Sequence, residues 1–395
     1  MNKNNRISVL HLARWYPNCF DPMAGLFIQR HAEAASHFCN NSVVYVHPVE
    51  PIKNSGIYQV EYDEIRSVNT ICVYYSQPKT KIPILKQTIK LYRFYKANSI
   101  GIKRVISEQG EFDLLHIHIL TRLGLIGLYY KWFQNKPYLI SEHWSRYLDT
   151  TGTFNGLLRK TLTRWIVKKA SFVTTVTKNL AIAMKNHGLV NDNYVVLDNV
   201  VDSVFYQTEE LSIEHKDKVT FINVTCFTDR AKNISGLLRV IKSMIDKRNN
   251  FTFILVGEGE DFEKMKAYAS ELGINNNQLV FKGLLEGKAL VSEMANANLI
   301  VMFSNYENLP VVINESFVLG IPVVSTNVGG ISEILNDSNG VLIKRKDERA
   351  LEETLLNYLD GKLRFEKEAI RKEFSRRFSP EKIGLEIFEL YQKAL

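Results

Sequence analysis

The chain has 395 residues, enough for two domains of ordinary size, each able to bury its own core. Its 45% hydrophobic and 23% charged residues are those of a globular protein, and no run of about 18 uncharged apolar residues argues for a transmembrane helix. The net charge of +8 is unevenly divided: residues 1–199 hold 25 basic against 13 acidic side chains, while residues 200–395 hold 25 against 29. The first half is therefore expected to face a polyanion.

In the first half, short apolar runs at 7–12, 42–46, 114–117, 138–141 and 172–175 alternate with helical segments. The N-terminal run reads as a first strand and is too short for the apolar region of a signal peptide, so a cytoplasmic location is expected. After it, Asp21-Pro-Met-Ala-Gly25 leads into a helix, and Gly25 would let backbone approach a phosphate or an acceptor. Cys19, Cys39, Cys72 and Cys226 show no CxxC spacing and read as reduced thiols. Residues 65–107 contain nine basic side chains and no acidic one. Residues 157–169 add Arg159, Lys160, Arg164, Lys168 and Lys169 among Trp165 and aliphatics. Basic amphipathic helices of this kind suit an anionic membrane surface, peripherally on the inner face, or are simply solvated. No nucleic-acid module is recognisable, so nucleic acid is not expected as a partner. His116 and His118 close one strand, and alternation is expected to turn their rings to opposite faces. No third ligand is placed beside them, which argues against a metal pair. Ser141-Glu142-His143-Trp144 closes another strand.

The join is expected near 196–203, dividing the chain into 1–198, 199–378 and a last helix over 379–395. In the second half, apolar runs at 219–224, 252–256, 279–281, 299–303 and 322–325 repeat the alternation. Continuous β-branched runs between helices mean strands buried on both faces, hence parallel sheets. Two doubly wound α/β domains with a cleft between them follow, with ligands at the carboxyl ends of the strands. Lys232 sits at a helix start, where cations oppose the dipole unless an anion is bound. Gly257-Glu-Gly259 lacks the third glycine of a dinucleotide fingerprint. Glu307 falls in the loop after the 299–303 strand, and Pro310 opens a helix that closes at Gly320. Glu315, about two turns into that helix, can project to the same cleft. The two carboxylates would grip sugar and ribose hydroxyls, or Glu307 merely caps the helix. Ser379 and Pro380 mark the start of the final amphipathic helix.

The run from Glu307 through Glu315 to Gly320-Ile-Pro-Val-Val-Ser-Thr-Asn-Val-Gly-Gly-Ile-Ser-Glu333 resembles family 4 of the retaining glycosyltransferases, with the GT-B fold of two Rossmann-like domains, and implies that the C-terminal helix crosses back to the N-terminal domain. Segments 196–205, 255–259, 280–283 and 377–380 carry the resemblance over most of the chain. It implies a glycosyltransferase moving a hexose-type sugar from a nucleotide diphosphate sugar to a saccharide or lipid-linked saccharide, in cell-surface polysaccharide biosynthesis. By it Glu307 would bind the donor hexose, the backbone of Asn308 and Leu309 the sugar and diphosphate, and Glu315 the ribose. Gly257, Phe281, Gly283 and Leu284 would border the base, and the Gly25 loop would face the donor phosphate. Lys232 matches the family's diphosphate-binding lysine. The family's arginine is missing after the first strand of this half, and Arg230 is the expected substitute. His118 would lie beside the transferred sugar and His143 on the acceptor side. No Asp-x-Asp closes a strand, so no metal cofactor is expected. The other readings are a nucleotide-sugar epimerase of similar architecture and a non-catalytic saccharide- or nucleotide-binding protein.

Overall fold

A computed structural model describes residues 6–50, 56–120, 122–148, 152–207, 218–274 and 278–395. The first half runs β1 (Ser8–Ala13), α1 (Leu26–Ser36), β2 (Asn40–Val49), β3 (Tyr58–Ile65), β4 (Val68–Ser76), α2 (Pro83–Gln109), β5 (Leu114–His118), α3 (Leu123–Phe133), β6 (Tyr138–Glu142), α4 (Leu157–Lys169), β7 (Phe172–Thr175), α5 (Lys178–Asn186) and β8 (Tyr194–Val196). The second runs β9 (Val219–Val224), α6 (Asp229–Lys232), α7 (Ile234–Ile245), β10 (Phe251–Val256), α8 (Phe262–Glu271), β11 (Leu279–Gly283), α9 (Gly287–Ala295), β12 (Leu299–Met302), α10 (Val311–Val318), β13 (Val323–Thr326), β14 (Gly340–Ile343), α11 (Glu348–Leu359), α12 (Lys367–Phe374) and α13 (Pro380–Ala394).

The strands form two sheets. The first is ordered β3-β4-β2-β1-β5-β6-β7-β8 and the second β11-β10-β9-β12-β13-β14. Each begins centrally and winds outward in both directions, so both place a topological switch point beside their first strand. Every pairing in the second sheet is parallel. In the first sheet only the β3–β4 hairpin is antiparallel. That hairpin escaped the sequence reading because β3 (YQVEYDEI) alternates apolar and polar residues and leaves Val60 and Tyr62 exposed. It carries no continuous apolar run, as befits an edge strand open to water on one face. The edge strands β8 and β14 were missed as well; they have three and four residues.

Strand periodicity divides each core in two. In the second sheet Ile222, Ile254, Ile300 and Val323 pack on one face. Their neighbours Phe221, Phe253, Leu299 and Val324 pack on the other. The last helix does not stay with the domain it follows. Ile383, Ile387, Leu390 and Tyr391 of α13 share a core with Val9, Ala34, Ala35 and Leu114 of the first half. Ser379 caps α13, its hydroxyl accepting from the Lys382 amide at 3.2 Å. All four cysteines are free. Among the described residues no helix is long and apolar enough to cross a membrane.

Candidate active site

The loops after β9, β12 and β13 converge at the carboxyl ends of the second sheet and meet the first half there. β12 is a short buried run whose end places Ser304 inside and Glu307 at the surface of contact. Thr326 of β13 donates to the Ser304 carbonyl at 2.7 Å, and the Ser304 hydroxyl donates to Glu307 Oε1 at 2.8 Å. Lys232 reaches the same carboxylate oxygen at 2.5 Å. Lys232 is the last residue of α6, a single turn that ends because Asn233 adopts φ 50° before α7 begins. Burial works against the Lys232 charge, but the Glu307 carboxylate beside it outweighs this and holds the ammonium above its ordinary pKa. The pair is thus largely buried and oriented by a third group.

Arg230, the proposed partner of Lys232, is exposed. Two residues apart in one helical turn, the two cations project to nearly opposite sides. Its carbonyl, rather than its guanidinium, takes part in the loop junction, accepting from the Asn305 amide side chain at 3.1 Å. Glu315 lies on α10 as expected, but its carboxylate is held by Arg30 of α1 at 2.8 Å. Arg30 and Asp202 complete that cluster across the two halves, at 3.9 Å. Gly257 and Gly283 meet through the Gly257 amide and the Gly283 carbonyl at 2.8 Å. Phe281 turns its half-buried ring toward Phe227 and Phe262, against the second core. Leu284 is exposed and Leu309 buried.

Asn308 joins the halves. Its side-chain amide donates to the His143 carbonyl at 3.0 Å, and its oxygen accepts from the Thr177 hydroxyl at 3.1 Å. Its carbonyl accepts from the Gly330 amide at 2.8 Å. Gly329 makes that approach possible: at φ 61°, a Cβ there would stand 2.2 Å from the Glu307 carbonyl oxygen. Gly25 behaves similarly as the residue before α1, at φ 68° with the Trp15 carbonyl 2.4 Å from where a Cβ would be. Its need for glycine therefore comes from the first-strand loop.

The histidines correct the sequence reading. His116 and His118 were expected on opposite faces, yet their ring centroids are 4.1 Å apart. A period of two returns residues i and i+2 to the same face. The sequence placed no third ligand beside them, and the fold brings further histidines there. His11 of β1 meets His118, Nδ1 to Nε2, at 3.0 Å. His31 and His143 lie beyond, their rings tilted with centroids 5.3 Å apart. Triads of nitrogens lie within 4.8 Å in His11, His116 and His118 and in His31, His118 and His143. His116 spends both nitrogens, on the Tyr391 hydroxyl and the Ser141 hydroxyl, each at 2.7 Å, so a metal there would have to break one of these bonds. Burial drives all five rings toward the neutral form, pushing His11 and His31 down to about 4. His118 is fully buried, and its Nδ1 has no hydrogen-bond partner. Arg30, His31 and His11 were not singled out from the sequence. The signal for the first two was their position one turn into the helix that follows Gly25.

Two family patterns divide the chain: residues 72–205 match Glycosyltransferase Family 4, and residues 207–377 match Glycosyl transferases group 1. The chain is a glycosyltransferase that carries both domains. An uncharacterized glycosyltransferase of Methanocaldococcus jannaschii is 24% identical over 314 residues, which are 79% of this transferase and 84% of that one. The lipopolysaccharide 1,6-galactosyltransferase of Escherichia coli is 29% identical over 220 residues, 51% of this chain and 58% of its own. Among solved structures, the lipopolysaccharide outer core galactosyltransferase WaaB covers 98% of the transferase and 100% of its own chain at TM-score 0.68 and 16% identity. The Anabaena protein HepE, solved with UDP and glucose, covers 98% and 99% at TM-score 0.70 and 16% identity. These likenesses establish the GT-B fold of the transferase.

Proposed function

We propose that the enzyme transfers a hexose from a nucleotide diphosphate sugar to a saccharide or lipid-linked saccharide with retention of anomeric configuration and without a metal cofactor, in the assembly of a cell-surface polysaccharide. The observation that carries this is the Lys232–Glu307 pair, 2.5 Å apart at the carboxyl ends of the second sheet. In the reaction the bond between the anomeric carbon and the diphosphate oxygen breaks, and its electron pair stays on that oxygen. Lys232 is the fixed cation that receives the new charge, already desolvated and so needing no reorganisation. Freed from part of its hold on Lys232, Glu307 accepts from hydroxyls of the sugar. The departing oxygen takes the acceptor hydroxyl's proton, and the acceptor oxygen bonds the anomeric carbon on the same face. No carboxylate is needed as a nucleophile, unlike in paired-carboxylate glycosidases. His118 Nδ1 and His143 lie on the first-half side and serve sugar and acceptor. Glu315 binds the ribose once Arg30 yields it, and Arg230 supplements Lys232 only after turning inward. UDP is the first nucleotide to try, given the ligands of HepE. A peripheral position on an anionic inner membrane surface fits the basic first half.

The test is a panel of nucleotide sugars in the presence of EDTA, scored by nucleotide release with and without saccharide acceptors. The anomeric configuration of the product is read by NMR. Retained configuration and full activity in EDTA are expected; an inverted product or a strict demand for a divalent ion overturns the mechanism.

A further inference from the structure

A cavity of about 740 Å³ lies in the first half, at the carboxyl ends of β1, β2, β4, β5 and β6. Arg14, Arg122, Arg146 and Arg159 line it, and among the described residues none of the lining is acidic. Burial, and after it the positive charge of Arg122, depresses the Arg14 guanidinium; burial likewise depresses Arg146, with Arg159 and Arg14 adding to it. Glu142, two residues before Trp144, attracts Arg146 but does not line the cavity. It is buried and spends its oxygens on the backbone amides of Leu120, His143 and Trp144. Like charges gathered around one hollow repel unless an anion enters it.

The walls and rim add a second property. Trp15 and Trp144 meet edge to face at 5.1 Å, and the Arg146 guanidinium stacks 3.8 Å over the Trp144 ring. At the rim, Leu158 lines the cavity while 75% exposed. Across from it, Ile84 is 81% exposed, one helical turn before the lining residue Gln87. A charged hollow with a bare hydrocarbon edge matches an amphiphile whose anionic group goes in and whose chain lies along the rim. The cavity also adjoins the transfer site, since Trp144 follows His143, whose carbonyl holds Asn308 beside Glu307.

We propose that this cavity holds the acceptor by a phosphate or diphosphate, and that the apolar rim receives the hydrocarbon of a lipid-linked saccharide phosphate. Its role as the acceptor site rests on the transferase mechanism above, whereas the binding does not and is tested without donor.

Trp15 and Trp144 make intrinsic fluorescence the readout. The intact protein is titrated with farnesyl diphosphate, inorganic diphosphate and farnesol. Farnesyl diphosphate is expected to bind at least tenfold more tightly than either fragment. The double variant Arg14→Ala/Arg159→Ala, and separately the surface variant Arg159→Glu, are expected to weaken it at least tenfold. Lys232→Ala, which removes the cation of the transfer site, is expected to leave it unchanged. Equal binding of inorganic diphosphate overturns the lipid part, and equal binding of farnesol overturns the anionic part. Loss of binding in Lys232→Ala places the probe at the donor site and overturns the proposal. Arginine variants that bind normally overturn it too.

Discussion

Lys232 and Glu307 stand 75 positions apart in the chain and share one hydrogen bond. Neither side chain is replaceable by its neighbours: Arg230 is turned outward, and Glu315 is engaged with Arg30. Removing one preorganised donor to a developing anion raises a barrier by about 2.7–4 kcal/mol. Lys232→Ala is therefore expected to lower turnover about 100-fold or more. Ser304 still donates to Glu307 in that variant, so the fold should survive, as a circular dichroism melt would verify. Turnover within a few-fold of the parent refutes the role given to Lys232. The Glu315–Arg30 pair makes a separate prediction. If ribose must displace Arg30, Arg30→Ala lowers the KM for the donor, measured at saturating acceptor; a raised KM would show that Arg30 helps hold the donor instead.

At the scale of elements, helix ends and close backbone contacts fasten the two halves. Glu333 accepts from the Lys178 and Asn179 amides at 2.7 and 2.6 Å, so a carboxylate of the second half caps α5 of the first. The site is exposed, and Glu333→Ala is expected to cost about 1 kcal/mol, less at high salt, in urea unfolding. The docking of α13 is tighter. A Cβ on Gly384 would stand 2.2 Å from the Ala34 carbonyl oxygen of α1. No side-chain rotation relieves a clash with backbone, so Gly384→Ala should destabilise by about 1–3 kcal/mol. An unchanged melting temperature would mean that α13 is not packed as described. The sequence marked both ends of this contact unequally. Ser379-Pro380 announced the helix, and the spacing of Ile383, Ile387 and Leu390 announced an apolar face. The resemblance implied that this helix returns to the first half, and it does; the local pattern left open that the partner would be α1.

For the whole molecule, five neutral histidines on β1, α1, β5 and just after β6 form a polar seam within a largely apolar first half. Burial lowers the pKa of His11 and His31 from 6.5 to about 4. Below pH 6.5 the unfolded chain binds protons that the folded chain refuses. The stability these groups contribute is complete above that pH and drains away as pH falls toward 4. Each loses up to ~3 kcal/mol over that window. Glu142 pulls the other way, since burial raises it to about 7 and its contribution is lost as pH rises through that value. Five groups that burial shifts downward outnumber one shifted upward. Urea unfolding should therefore show clearly lower stability at pH 5 than at pH 7.5. A flat profile would mean that the cluster ionises without disrupting its packing.

By itself the sequence determined the two α/β halves, the parallel sheets and the loops that carry Gly25, Lys232, Glu307 and Glu315. Those features follow from local causes: apolar runs of strand length, glycine and proline at helix ends, and carboxylates at fixed spacing. Only the tertiary structure decided which side chains meet. It joined Lys232 to Glu307 and Arg30 to Glu315, gathered five histidines, and set four arginines around one hollow. Each of these depends on strand order and helix docking, which are set by long-range burial and leave no mark on neighbouring residues.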